Sequence, residues 1–160
     1  MSLFETTVMV GAGVASDSAT ARTAGGRATV LTMTQAAEDA VLRPRDYGAF
    51  PHALRAALAG RVALLGGDEV LAAHYLAAAG DKAPLADPDQ SGTDQDLAEV
   101  LRFVDKVANQ TRDVVADDIA GLQSAGVADA DIVRLCELVA FLAFQLRVIA
   151  GLRMMEGTNA

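Results

Sequence analysis

The sequence predicts an all-α fold, a bundle of about six helices in one domain. Its 160 residues suffice for one domain with a sizeable core, and 52% of them are apolar. Alanine is abundant and runs of β-branched residues are few, a composition that favours helix. Apolar residues recur at helical spacing in several stretches, whereas no stretch shows the alternation of a strand. Because only 4% of residues are aromatic and tryptophan is absent, alanine, leucine and valine must form most of the core.

The first 32 residues show no clear period. Glycine, serine, threonine and alanine dominate them, so we expect residues 1–32 to form a partly flexible arm. The helical domain should then cover residues 33–156, followed by a short tail over 157–160. Its first helix is expected over 32–42, ended by Pro44.

The next predicted helix begins at Pro51, a residue well suited to a first helical position. It should run to the glycine pair at 66–67, which is expected to break or bend the chain. A further helix is predicted over 68–79, with Gly80 placed to end it. Glu69 lies in its first turn, where the helix dipole favours negative charge.

The C-terminal half should contain an acidic loop and three helices. An amphipathic helix is predicted over 93–110, where Thr93 and Asp96 resemble a capping box. A short helix closed by Gly126 should follow. The last helix, from about Asp129, is apolar almost all round and should therefore be central.

Charge and cysteine content exclude several classes of protein. The net charge of −8 argues against binding to nucleic acid, which needs a basic surface. The single cysteine cannot form an internal disulfide. The apolar run over 138–146 is too short to span a bilayer, and the N-terminus lacks the basic region of a secretory signal. We therefore expect a cytoplasmic protein without a membrane segment.

Metal binding is not expected. Asp87 and Asp89 begin a pattern like a calcium loop, but Ala98 occupies the twelfth position, where a bidentate glutamate is needed. His52 and His74 are 22 residues apart, and neither has a second histidine or cysteine at ligand spacing. We also expect no cofactor.

Two residues of the long C-terminal helix need an interpretation. Cys136 lies in apolar sequence and is predicted to pack as a core cysteine rather than a reactive thiol. Arg147 needs a carboxylate or carbonyl partner. A structural ion pair with Asp105 or Glu137 is the first interpretation, and contact with an anionic substrate is the alternative.

Two stretches, LRAALAGRVALLGGDEVLAAHYLAAAG and DKVANQTRDVVADDIAGLQSAGVADADIVRLCELVAFLAFQLRVIAGL, carry a resemblance to a known family. The chain resembles the carboxymuconolactone decarboxylase and AhpD-like alkylhydroperoxidase family over residues 40–153, in particular its peroxidase-related branch. The second stretch, with Lys106, TRD at 111–113 and Arg147, is the stronger match. The resemblance implies an AhpD-like helical bundle that forms oligomers.

The redox motif of that family is incomplete in this chain. Peroxidase members carry Cys-x-x-Cys-x-x-x-His on a helix, with a glutamate upstream. Alignment on His74 puts Gly67 and Val70 at the two cysteine positions, and residues 49–67 contain no carboxylate. Because the family's peroxide chemistry needs both thiols, we expect no dithiol peroxidase activity from this chain alone.

Three functions therefore stay open. The first is an AhpD-like protein without dithiol chemistry, acting as a homo-oligomer or as the partner of a cysteine-containing relative. The second is a cofactor-independent lyase or isomerase, in which His74 is the base and Arg147 or Lys106 attracts a small carboxylate; Glu69 is a further candidate binding residue. This hypothesis predicts a pocket beside His74. The third is a peroxidase that uses Cys136 with an external thiol. Alanine-rich helices bury little area each, so at least a dimer is expected.

Overall fold

In the computed structural model, which describes residues 2–157, all regular secondary structure is helical. The predicted fold class is therefore confirmed. The α-helices are α1 (Thr7–Ala12), α2 (Ala19–Gly25), α3 (Ala28–Leu42), α4 (His52–Leu65), α5 (Glu69–Leu76), α6 (Ala98–Asn109), α7 (Ala116–Ser124) and α8 (Asp129–Glu156). Short 3-10 helices lie at Leu3–Glu5, Gly80–Ala86, Thr93–Gln95 and Thr111–Asp113. Of the tail predicted at 157–160, residues 158–160 lie outside the described residues.

The long helix α8 is central, as its composition predicts. Leu138, Leu142 and Ile149 are fully buried, and helices α1, α3, α4 and α6 all pack against α8. In length and composition α8 also resembles a membrane-spanning helix, and 33% of its most apolar window is buried within the protein. Core helices of soluble proteins satisfy the same criterion, so the cytoplasmic location stays a prediction.

Helix α4 forms the other half of the core. Ala57, Leu58 and Ala59 have no exposed surface, and α4 packs against α5, α6, α8 and the 3-10 helix Gly80–Ala86. Gly60 lets this 3-10 helix approach, because a Cβ there would lie 3.3 Å from the side chain of Ala86. Small residues therefore let the helices pack closely, and this close packing fills the core although aromatic side chains are few.

The expectation of a partly flexible arm over 1–32 is wrong for its described part. Residues 2–32 contain α1, α2 and the start of α3, and Val8 and Met9 are each only 1% exposed. A Cβ on Gly11 would lie 3.0 Å from Ile149 of α8, so α1 and α8 are in close contact. The helical period was hidden because small residues give little hydrophobic contrast along the chain.

The start of α6 also differs from prediction. Thr93–Gln95 is a 3-10 helix, Asp96 adopts a left-handed conformation with φ of 55°, and α6 begins only at Ala98. The predicted capping box at Thr93 and Asp96 is therefore wrong. Asp68 does cap a helix, because its carboxylate accepts the backbone N–H of Leu71 at 3.0 Å at the start of α5.

A buried arginine fixes the acidic loop before α6. Arg61 of α4 is 2% exposed and donates a two-pronged hydrogen bond to the Asp105 carboxylate, at 2.6 and 2.7 Å. Its guanidinium also donates to four backbone carbonyls of the loop, those of Leu85, Asp87, Pro88 and Gln90. A loop with little apolar sequence is thereby held against the bundle.

Candidate functional site

A buried carboxylate lies where α1, α3, α5 and α8 meet. Glu38 of α3 is 1% exposed. Its Oε1 accepts a hydrogen bond from the Thr7 hydroxyl at 2.7 Å, and its Oε2 accepts one from the Gln145 amide at 2.5 Å. A buried carboxylate is tolerated only when such donors surround it.

The hydrogen bonds continue on both sides of Glu38. The Tyr75 hydroxyl donates to Oε1 of Gln145, and the backbone N–H of Thr7 donates to the Gln35 side chain at 2.8 Å. Among the residues that the structure describes, every buried polar side-chain atom has a hydrogen-bond partner. The cluster therefore has one defined arrangement.

The burial of this cluster changes its acid–base properties. Desolvation raises the pKa of Glu38, while the hydrogen bonds from Thr7 and Gln145 and the nearby charge of His74 act in the opposite direction. Burial, and then the charge of Glu38, raise the pKa of Tyr75. Tyr75 therefore stays a neutral donor, and Glu38 takes up a proton at a higher pH than an exposed glutamate.

His74 of α5 lies at the surface end of this cluster. Its Nε2 is 3.4 Å from the Thr7 hydroxyl oxygen and 3.9 Å from Oε1 of Glu38, and its side chain is 48% exposed. When Thr7 donates its one hydroxyl proton to Glu38, its oxygen accepts from a protonated Nε2. Thr7 thus connects a surface imidazole to a buried carboxylate.

A small pocket of about 130 Å³ lies beside this histidine. Its wall is mostly apolar and is formed by Thr7, Val10, Gly11, Val70, Leu71 and His74. Val70, one of the two positions that carry cysteine in the resembled family, is therefore part of the pocket. Gly67, the other, does not line it and lies in the turn between α4 and α5 with φ of 75°.

The predicted binding residues are not brought to this pocket. Arg147 is exposed on α8 and donates to the carbonyl of Ala143 at 2.8 Å. The predicted ion pair of Arg147 with Asp105 or Glu137 is wrong, because the Asp105 carboxylate binds Arg61 and, among the described residues, Arg147 forms no salt bridge with Glu137. Glu69 is exposed at the start of α5 and does not line the pocket.

Lys106 lies elsewhere in the bundle, on α6. Its amine donates to the Asp118 carboxylate at 2.7 Å, and Arg102 donates to the same carboxylate at 3.1 Å. The hydrogen bonds from Lys106 and from the backbone N–H of Val115 lower the pKa of Asp118 to about 2. Lys106 therefore stabilises the junction of α6 and α7, away from His74.

Cys136 has the surroundings of a packing residue. It is half-buried against the hydrophobic core. Burial, and then the charge of Glu137, raise the pKa of its thiol. A reactive cysteine needs a lowered pKa, so these surroundings favour the structural interpretation of Cys136 over the one-cysteine peroxidase.

Sequence reasoning missed the residues that give His74 its environment. Glu38 lies outside the segment 49–67, in which the family resemblance places a glutamate, and Thr7 lies in the segment interpreted as an arm. A signal for Glu38 was present, because it is four residues before the buried Leu42 and seven after the buried Leu31, on one face of α3.

In the described part of the chain, no group of three or more histidine, cysteine or acidic side chains is arranged to hold a metal ion. The site consists of an imidazole, a hydroxyl, a buried carboxylate and an apolar pocket. Comparison of the chain with models of protein families, with curated proteins and with solved structures finds no match.

Proposed function

We propose that this protein is a cofactor-independent enzyme that moves a proton on a small neutral substrate, with His74 as the general base. The observation that carries the proposal is the position of the Thr7 hydroxyl, between His74 and the buried Glu38, in the wall of a pocket. This arrangement supports the acid–base chemistry that a lyase or isomerase uses.

The hydrogen bonds give each group a role. With Nε2 protonated, the imidazole accepts a proton at Nδ1 from a C–H bond next to the substrate carbonyl and becomes an imidazolium, and the electron pair of that bond moves onto the carbonyl as an enolate. Its Nε2–H donates to Thr7, whose hydroxyl donates to the Glu38 carboxylate, so the new positive charge lies 3.9 Å from a negative one. A positioned base of this kind contributes about 10²–10⁴-fold to a rate.

The pocket indicates the kind of substrate. Its volume of about 130 Å³ suits a small molecule or the reactive end of a larger one. Arg153 contacts the wall of the pocket, because it donates to the Gly11 carbonyl at 2.7 Å, and it pairs with Asp68 at 2.9 Å. Because this charge is compensated, a neutral ketone, ester or lactone fits better than the carboxylate expected from the sequence.

The family resemblance is compatible with this chemistry. Resemblance to the decarboxylase branch of that family implies a histidine on this helix that assists proton transfer in a cofactor-free reaction on a lactone. His74 is the part of the family's motif that this chain keeps. We therefore infer that the chain shares proton chemistry, rather than dithiol chemistry, with the family that it resembles.

Solvent deuterium exchange tests the proposal. The protein is incubated in D₂O with a panel of neutral ketones and lactones of four to six carbons, and deuterium at the α-carbon is followed by NMR. We expect exchange above the buffer rate for at least one compound. His74→Gln should reduce it to background, and Thr7→Val should reduce it strongly while Thr7→Ser retains it.

The second histidine supplies a matched control. His52 is bonded to the carbonyl of Pro44 at 2.9 Å, away from the pocket, so His52→Gln should exchange at the wild-type rate. Equal loss in both histidine variants, or unchanged exchange in Thr7→Val, would contradict the roles given to His74 and Thr7. Exchange at the buffer rate across the whole panel would contradict the proposed function.

A further inference from the structure

The exposed face of α8 has an unusual composition for a helix in contact with water. From Ala130 to Met154 the exposed positions follow alternate steps of three and four residues, the spacing of a coiled-coil seam. They are Ala130, Val133, Glu137, Ala140, Phe144, Arg147, Gly151 and Met154. Any surface helix exposes such a stripe, but a solvated stripe is normally polar. Six of these eight residues carry no charge or polar group, and Val133, Phe144 and Met154 are 57%, 46% and 76% exposed.

We propose that this face of α8 pairs with the same face of a second copy of the chain, as an antiparallel coiled coil whose two-fold axis passes near residue 142. The interface is distinct from the His74 pocket and does not depend on the proposed catalytic function. A contact between identical faces is the commonest arrangement in soluble homodimers.

The charges on this face select the antiparallel arrangement. Glu137 and Arg147 are equally far from residue 142, one on each side. Antiparallel pairing about that point therefore places Glu137 of each copy opposite Arg147 of the other, twice in the dimer. Parallel pairing in register would instead place like charges opposite each other.

The sizes of the side chains agree with the same axis. Each remaining pair of positions at equal distance from residue 142 combines a larger with a smaller residue: Phe144 with Ala140, Val133 with Gly151, and Met154 with Ala130. Such pairs let two helices interdigitate at close distance. The parallel arrangement would place two phenylalanines opposite each other and leave two glycines facing a gap.

The neighbouring helix extends this surface. A groove of about 410 Å³ between α3 and α8 is lined by Val30, Met33, Thr34, Ala37, Phe141 and Phe144. Val30 and Met33 are 53% and 66% exposed. A second copy on α8 would cover part of this groove, so the buried apolar area exceeds that of two helices alone.

A membrane surface fits this face less well. Helices that lie on a membrane carry lysine and arginine beside their apolar face, because these residues attract anionic lipids. The chain has a net charge of −8, and the stripe contains one arginine and one glutamate. These balanced charges complement a second copy of the same stripe.

Charge reversal tests the interface. Sedimentation equilibrium of the wild type should give twice the chain mass of 16.5 kDa. Glu137→Arg and Arg147→Glu should each weaken the dimer at least tenfold in Kd, because each creates two like-charged contacts. The double variant restores both pairs and should dimerise like the wild type.

Another exposed arginine gives the matched control. Arg112→Glu makes the same charge change outside α8 and should leave the Kd unchanged. Circular dichroism checks that each variant keeps its helix content. A monomeric wild type, a dimer insensitive to both single reversals, or a monomer that floats with vesicles of anionic lipid would each overturn the proposal.

Cysteine cross-linking tests the direction of the helices independently. The native cysteine is first removed by Cys136→Ser, and a chain with Ala140→Cys is then mixed with a chain with Phe144→Cys and oxidised. The antiparallel register predicts a covalent heterodimer. Rapid cross-linking of the Phe144→Cys chain to itself, without the mixed product, would indicate parallel helices and overturn the assignment.

Discussion

Replacement of Gln145 by leucine should destabilise the protein strongly, although the two side chains are similar in size. Gln145 has no exposed surface, accepts a hydrogen bond from the Tyr75 hydroxyl and donates one to Glu38. Leucine leaves a buried hydroxyl and a carboxylate oxygen unpaired, at about 1–3 kcal/mol each and more for the charged group. The added apolar burial returns about 1–2 kcal/mol. The free energy of unfolding should therefore fall by about 2–4 kcal/mol. A fall of about 3 kcal/mol corresponds to a Tm lower by about 6–12 °C.

The loss of stability caused by Gln145→Leu should depend on pH. The hydrogen bond from Gln145 lowers the pKa of Glu38, so its removal raises that pKa further. The folded pKa of Glu38 is already above its ordinary value of 4.5. At pH values between 4.5, the pKa of Glu38 in the unfolded chain, and its higher pKa in the folded protein, the folded state holds a proton that the unfolded state has lost. The free energy of unfolding therefore falls as pH rises through this range. Gln145→Leu should therefore be more destabilising at pH 8 than at pH 4.

Urea unfolding of a double-mutant cycle measures this coupling. Tyr75→Phe removes the hydroxyl that Gln145→Leu would leave unpaired, so the two changes together should cost less than the sum of the single changes, by about 1–2 kcal/mol. Gln123→Leu is the matched control, because Gln123 is exposed and its change should stay within about 0.5 kcal/mol. Additive losses that are equal at both pH values would refute the reasoning.

Two substitutions and one labelling measurement test the fold and the cysteine. Arg61→Met should lower the free energy of urea unfolding by about 3–5 kcal/mol, since it leaves the Asp105 carboxylate and several loop carbonyls without their donor. Gly92→Ala should lower the free energy of unfolding by about 1–3 kcal/mol, and with it Tm, because φ at Gly92 is 70° and the new Cβ would lie 2.7 Å from Leu101. An unchanged Tm would contradict this close contact. The Cys136 thiol should react with a thiol-labelling reagent much more slowly in the native protein than in urea. Equal labelling rates would reopen its role as a nucleophile.

Helices with strong contrast between their faces could be predicted from the sequence. The apolar stripe of α6 and the long apolar run of α8 placed both helices within a few residues of their true ends, apart from the start of α6. The contrast is weak in α1, where Val8 and Met9 are buried but Val10 is exposed, and in α2, where alanine and threonine occupy both faces. Their burial depends on close contact with α8, which no local pattern reports.

The candidate site could be predicted only in part, for a related reason. His74 and the terminal position of Asp68 on α5 follow from local sequence. The contact with Glu38 joins α3 to α5, and that with Thr7 adds α1, so both depend on tertiary packing. A polar residue in an apolar stripe predicts a buried partner without identifying it.

The two proposals involve different sides of α8. Gln145 faces the core and binds Glu38, whereas its neighbour Phe144 faces outward on the proposed interface. Successive residues of a helix differ by about 100° in direction, so adjacent positions can serve separate roles. Separation of the two sides of α8 predicts that Arg147→Glu dissociates the dimer without altering the exchange rate per chain, whereas Thr7→Val alters exchange without changing the mass. If the charge reversal abolished both, the pocket beside His74 would need the second copy for its shape, and the two proposals would become one.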